Sequence, residues 1–151
     1  DLHSFPTRRS SDLRTSIDGQ VAGSIGKGLM VLIGVKKGDT EADAEYIARK
    51  IAALRVFDDE NGVMNVNIRE AGGAILAVSQ FTLLGDVRKG SRPSYFDAAG
   101  PEEANGLYRT VIGKLQRDGL HVEEGVFRTE MLVDIANDGP VTILLDSRKE
   151  F

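Results

Sequence analysis

Three hydrogen-bonding side chains, Ser79, Gln80 and Thr82, fall almost side by side, with Phe81 among them. They follow the apolar, partly β-branched run Ile75, Leu76, Ala77, Val78, which reads as a buried strand, and Gly85 and Asp86 end the stretch as turn residues. A strand fixed by its apolar part holds a polar tip still, which suits substrate positioning. A strand end fraying into solvent gives the same pattern, so this segment alone leaves both readings open. A second segment, Asn137-x-Gly139-Pro140-Val141-Thr142, repeats the apolar-then-polar grammar near the C-terminus. Only His3 and His121 supply imidazole and there is no cysteine, which argues against a multi-histidine centre and rules out a thiolate metal site. No metal or other cofactor is expected.

The second chemical candidate is the loop 87–100, where Arg88, Lys89 and Arg92 lie among Gly90 and Pro93, with Tyr95 and Phe96 beside them. Cations with neighbouring aromatics suit a phosphate backbone and a stacked base. A surface loop with no ligand accounts for the same residues. Two other motifs fail on inspection. Gly26, Lys27 and Gly28 lack the spaced glycines, the Lys-Ser/Thr pair and the following helix of a phosphate loop. The acidic run 58–62 lacks the ligand spacing and closing glutamate of a calcium loop.

These candidates sit in a chain of 151 residues, enough for one domain that buries roughly two-thirds of its unfolded surface. The 41% apolar and 28% charged fractions are those of an ordinary globular protein. No apolar run approaches the roughly 20 residues of a membrane span, so no membrane partner is expected. The absence of cysteine fits a reducing, cytoplasmic setting. A net charge of −4 argues against indiscriminate coating of nucleic acid but leaves room for a local basic patch.

The positioning elements follow in order. Residues 1–13 show neither a helical nor a strand period and lack the apolar core of a secretion signal; they read as a disordered or foreign leader making no strand in the main sheet. Residues 15–17 and 20–22 flank Asp18-Gly19, a hairpin signal. The run 29–35 is a central strand. Thr40 caps a helix whose apolar face is Ala44, Ile47, Ala48, Ile51 and Leu54. A strand at 63–68 leads through Gly72 and Gly73 into the run 74–78. Pro101 opens a second helix, faced by Ala104, Leu107, Tyr108, Val111 and Leu115 and stopped at Gly119. Strands at 131–136 and 141–145 finish the domain, 14–151. Strands outnumber helices and arrive by hairpins rather than βαβ units in this reading, giving an α+β fold of largely antiparallel sheets in a barrel-like arrangement with two main helices.

With both motifs in place, the chain resembles the D-aminoacyl-tRNA deacylase family. Ser79-Gln80-Phe81-Thr82-Leu83 and Asn137-x-Gly139-Pro140-Val141-Thr142 carry the likeness, with Arg55-x-Phe57, Gly62-x-Met64-Asn65, Ala71-Gly72-Gly73 and Arg92-Pro93-Ser94 between them in unbroken order. The likeness spans 14–145. It implies a homodimeric, cytoplasmic hydrolase that cleaves the ester joining a D-amino acid, or glycine mischarged on tRNA for alanine, to the terminal ribose of tRNA. Such chiral proofreading would use Gly139 and Pro140, joined by a cis peptide, as a filter reaching into the partner's pocket. Asn137 and Thr142 would support it. Ser79, Gln80, Phe81 and Thr82 would form the catalytic strand, with Gln80 orienting the substrate. Water is the expected nucleophile, because no histidine stands by to activate Thr82. Backbone N–H groups near Phe81 and Thr82 would hold the oxyanion, and the ribose 2′-hydroxyl would assist. Arg88, Lys89 and Arg92 would contact tRNA phosphates.

The sequence departs from that pattern at one place. The family begins with an apolar strand ending in Gln-Arg-Val, and here Arg9, Ser10, Ser11 and Asp12 stand there, with Ser11 at the position of the arginine that braces the Gly-Pro wedge. A related editing domain of altered specificity, acting on L-alanyl esters, and a module that binds tRNA ends without turnover stay open as alternatives.

Overall fold

The computed structural model describes residues 14–151 and the backbone of residues 2–7 and 13. The strands are β1 (Leu2–Thr7), β2 (Leu13–Ile17), β3 (Gln20–Ile25), β4 (Gly28–Ile33), β5 (Phe57–Asp58), β6 (Met64–Val66), β7 (Ala74–Ser79), β8 (Val122–Glu124), β9 (Leu132–Asp134) and β10 (Ile143–Leu145). Helix α1 covers Glu41–Ala53, a 3-10 helix covers Phe81–Leu84, and α2 covers Pro101–Arg117. A five-stranded sheet runs β10-β1-β4-β7-β8, a three-stranded sheet runs β3-β2-β9, and β5 pairs with β6 alone.

Alternation along β4 and β7 builds three layers. Leu29, Val31, Ile33, Ile75 and Ala77 face the helices, where they meet Ala44, Ile47, Ala48 and Ile51 of α1 and Tyr108, Val111, Ile112 and Leu115 of α2. Met30, Leu76 and Val78 face the other way, against Ile25, Met131 and Val133 of the three-stranded layer. Both faces of the central strands are therefore buried, which is why their sequences are unbroken apolar runs. At roughly 25 cal/mol per Å² of apolar surface, each such side chain contributes about 1.5–3 kcal/mol.

The local signals act as their chemistry requires. Asp18 and Gly19 take φ of 50° and 78°, the left-handed pair of a tight hairpin turn between β2 and β3. The Asp43 carboxylate reaches back to accept from the Thr40 N–H at 2.8 Å, fixing the start of α1. That bond holds the Asp43 carboxyl below its usual range, against a smaller opposing effect of burial. Pro101 occupies the first turn of α2, where its missing N–H costs nothing.

Three sequence expectations are corrected. First, β4–β7 and β7–β8 are parallel, and they are joined by crossovers containing α1 and α2 rather than by hairpins. The antiparallel pairs still predominate, because β1, β2, β5 and their partners all run that way. Second, the sheets do not close into a barrel. β3 and β8 come so near that a Cβ on Gly23 would lie 2.3 Å from the Glu124 carbonyl oxygen, yet their ladders stay separate. Third, the expectation of no strand within residues 1–13 fails for Leu2–Thr7, which pairs with β4 along its length and with β10 over residues 2–4. Two flanking strands offering unpaired backbone groups outweigh the segment's weak alternation. Pro6 is tolerated because the β10 ladder has ended before it. Residues 8–12, including Arg8, Arg9 and Ser11, lie outside the described residues.

Candidate active site at the carboxyl ends of the parallel strands

The parallel strands β4 and β7 end level with each other, Ile33 opposite Ser79. The crevice outside the carboxyl ends of parallel strands is where ligands bind in open α/β sheets. Here the Gln80 N–H donates to the Ile33 carbonyl at 2.7 Å, and the chain then turns into the 3-10 helix instead of continuing as a strand. The turn packs directly on Gly34. A Cβ there would stand 2.6 Å from Leu84 Cδ2, 3.1 Å from Leu83 Cβ and 3.2 Å from the Gln80 carbonyl. The absence of a side chain on Gly34 lets the 3-10 helix sit this low over β4 without displacing Leu84.

Ser79, Gln80, Phe81 and Thr82 all line one cleft of about 790 Å³. The structure thus brings together the four residues expected to form the catalytic strand. Gln80 Nε2 donates to Thr82 Oγ1 at 2.8 Å, so the threonine oxygen is an acceptor and keeps its own proton to donate. The first closing bond of the 3-10 helix runs from the Leu83 N–H to the Gln80 carbonyl at 3.4 Å. The N–H groups of Phe81 and Thr82 precede it and have no acceptor within the helix. Phe81 is 57% exposed and meets Tyr95 edge-on, with centroids 5.1 Å apart. Beneath the quartet, the buried Tyr108 hydroxyl donates to the Ala77 carbonyl at 3.0 Å, tying α2 to β7. Burial, reinforced by Glu124, raises the Tyr108 phenol well above its usual value.

The basic loop closes through a backbone pair, Asp86 with Ser94, at 2.8 and 2.9 Å. Arg88 forks onto the Asp86 carboxylate with bonds of 2.9 and 2.7 Å, and those bonds hold that carboxyl far below its usual range. Lys89 and Arg92 are exposed. Lys37 Nζ covers the Phe96 ring at 3.9 Å from its centroid.

The second motif lies apart from this cleft. Asn137 spans its own loop: its Oδ1 accepts from the Val141 N–H at 3.0 Å and its Nδ2 donates to Thr142 Oγ1 at 3.3 Å. The clamp presents Gly139 and Pro140 at the exposed tip, joined by a cis peptide. None of 137–142 lines the cleft of the same chain.

Sequence reasoning missed one wall of the site. Phe127, Arg128, Thr129, Glu130 and Met131 line the cleft, a stretch to which the sequence reading gives no role beyond leading into the strand expected at 131–136. Arg128 adopts φ of 62°, and the chain turns there. The readable signal was polarity, because Arg128, Thr129 and Glu130 interrupt the apolar alternation before β9. Among the described residues, no three potential metal-ligating side chains converge.

A mixed α/β core with two helices on one face, a second small sheet on the other and a polar tip at the parallel strand ends defines a class of fold that solved structures share. One, described as a c-Myc DNA unwinding element binding protein, superposes with a TM-score of 0.85 at 35% identity over 95% of this chain and 96% of its own. Another, described as a probable eukaryotic D-amino acid tRNA deacylase, superposes at 0.76 with 14% identity, covering 97% of this chain and 100% of its own. At that identity the likeness shows the fold alone.

The sequence comparisons narrow the class. The family model for D-Tyr-tRNA(Tyr) deacylase matches residues 8–146. The D-aminoacyl-tRNA deacylase of Anaeromyxobacter dehalogenans is 56% identical over 144 residues, covering 95% of this chain and 97% of that protein. That of Symbiobacterium thermophilum is 57% identical over 144 residues, covering 95% of each. This chain belongs to the D-Tyr-tRNA(Tyr) deacylase family.

Proposed function

We propose that this protein hydrolyses the ester bond of D-aminoacyl-tRNA, releasing the free D-amino acid and the tRNA. The observation that carries this reading is the polar tip 79–82, which lines an open cleft with a paired amide and hydroxyl and opens a 3-10 helix whose first N–H groups have no acceptor within it. An ester is an activated acyl group, so placing it beside water and holding its developing oxyanion supplies much of the catalysis. The Phe81 and Thr82 N–H groups serve the oxyanion. Gln80 orients the substrate and fixes the Thr82 hydroxyl. Because Thr82 receives a hydrogen bond and no imidazole lines its cleft among the described residues, water attacks the ester, assisted by the neighbouring ribose hydroxyl. Ser79 anchors the tip at its junction with β7.

The chiral selection belongs to a homodimer. Gly139 and Pro140, braced by Asn137 and Thr142, enter the cleft of the partner subunit and leave room for a D side chain or for glycine. The exposure of this tip and its distance from its own chain's cleft support the reading. So does the groove of about 830 Å³ bordered by Val21 and Leu132, which are 55% and 66% exposed. Such apolar residues at a sheet edge favour a covering partner. Arg88, Lys89 and Arg92 hold tRNA phosphates at the rim, and the work is done in the cytoplasm.

The test is release of amino acid from tRNA charged with D-tyrosine, L-tyrosine or glycine. Rapid loss of the D-tyrosyl and glycyl esters with the L-tyrosyl ester spared supports the proposal. Equal loss of both enantiomers refutes the filter, binding without release refutes the enzyme, and turnover of L-alanyl esters instead would mark altered specificity.

A further inference from the structure

The far end of the helical layer carries a feature that the cleft does not use. Because α1 and α2 both cross between neighbouring parallel strands, their C-terminal ends lie together, opposite the end that holds the cleft. Between them is an open groove of about 610 Å³ into which Arg49 of α1, Arg69 of the turn before β7, and Lys114 and Arg117 of α2 converge. Its carboxylates are Glu45, paired with Lys114 at 3.0 Å, and Asp118, whose backbone carbonyl accepts from Arg69. Arg49, Arg69 and Arg117 are exposed. A helix C-terminus favours cations, and that alone accounts for Lys114 and Arg117. It accounts for Arg69 as well, which caps α2 through the Asp118 carbonyl, but not for Arg49, which lies before the last turn of α1, nor for the convergence of these cations on one groove in a chain of net charge −4.

We infer that this groove is a second docking site for the phosphate backbone of the tRNA whose acyl end occupies the cleft. The inference rests on the proposed deacylase reading and extends it to the body of the substrate. Helix α2 has 17 residues and is about 25 Å long, with Pro101 on the cleft at one end and Arg117 on the groove at the other. At about 3.4 Å per nucleotide, that distance is about seven steps along a nucleic-acid strand. A strand anchored at its 3′ end in the cleft and running along α2 would lay its phosphates over the groove. Guanidinium groups suit them, because their planar fork matches phosphate oxygens.

The experiment compares full-length D-tyrosyl-tRNA with D-tyrosyl-adenosine, using wild type and the Arg49→Gln/Arg117→Gln double variant. Hydrolysis of either substrate by wild type tests the deacylase reading independently of the groove. For the variant, KM for the tRNA should rise roughly tenfold with kcat unchanged, and the salt slope of binding should shrink by about 0.7–0.9 per lost contact. The adenosine ester should react as with wild type, and Arg49→Lys/Arg117→Lys should restore most of the affinity. Unchanged tRNA binding and salt slope, or equal losses on both substrates, would overturn the inference and leave these cations as helix-end charges.

Discussion

Substituting Gly34 by alanine should slow catalysis far more than its stability cost explains. The added Cβ lies 2.6 Å from Leu84 Cδ2 and 3.2 Å from the Gln80 carbonyl, so the buried leucine and the start of the 3-10 helix must yield. Overpacking of this kind costs about 1–3 kcal/mol, which for a domain of this size lowers Tm by about 2–12 °C. The helix carries Phe81 and Thr82, and the 3.1 and 3.2 Å contacts require it to give by a few tenths of an ångström, where a displacement of about 1 Å at a reacting centre costs on the order of 100-fold. Steady-state deacylation of D-tyrosyl-tRNA should fall about 3- to 10-fold in kcat at a temperature where circular dichroism shows the variant folded. The control is Gly28→Ala, at the opposite end of β4. Its Cβ would fall 1.8 Å from the Ala74 carbonyl oxygen, a backbone clash between central strands. That variant should lose at least as much stability, while its kcat per folded molecule stays at the wild-type value. If Gly34→Ala keeps full kcat, or if the two variants lose activity in proportion to Tm, the seat of the 3-10 helix on β4 does not set the rate.

Thr82→Ala should reduce kcat by no more than about tenfold in single-turnover assays, the loss expected of a positioning hydrogen bond; a drop beyond about 1,000-fold would make the hydroxyl the nucleophile. Tyr108→Phe removes the bond to the Ala77 carbonyl and should cost about 1 kcal/mol in urea unfolding. Because the folded state raises this phenol above its ordinary 10.0, its contribution holds below that pH and is lost as pH rises beyond it. The variant should therefore show a weaker alkaline loss of stability above that point. Asp86→Asn should free the Arg88 fork, tightening tRNA binding and steepening its salt dependence. Leu132→Lys should shift sedimentation toward monomer and abolish D-over-L discrimination together, and a fully selective monomer would refute completion of the site in trans.

Much of the helical layer was legible because capping and periodicity act locally. Thr40 with Asp43, and Pro101 ahead of Leu107 and Val111, state their helices within a few residues. The polar tip was also legible, but its shape was not. Whether Gln80 continues a strand or starts a 3-10 helix depends on Gly34, forty-six positions earlier and silent until β4 lies beside β7. Strand pairing was misjudged for a similar reason. The unbroken run 75–78 does indicate burial on both faces, yet parallel partnership follows only when helices return the chain to the same edge. Leu2–Thr7 is the extreme case. Its own residues argue weakly for a strand, and its place is fixed by vacant backbone groups on β4 and β10. The cleft wall 127–131 was missed because a turn through Arg128 sits between two stretches with strand character.

The position of β1 has a consequence for biosynthesis. It stands between β4 and β10, so Leu2 pairs with both Ile33 and Leu145. The contact with β4 becomes available once residues 28–33 have emerged, but the contact with β10 must wait for residues 143–145. Closing so long a loop is entropically slow relative to forming the local hairpin β2–β3. The residues 137–142 directly precede β10, so the Gly139–Pro140 tip gains its anchored base only at that final step. A nascent chain would thus carry an assembled cleft, centred on 79–82, before it carries an anchored tip.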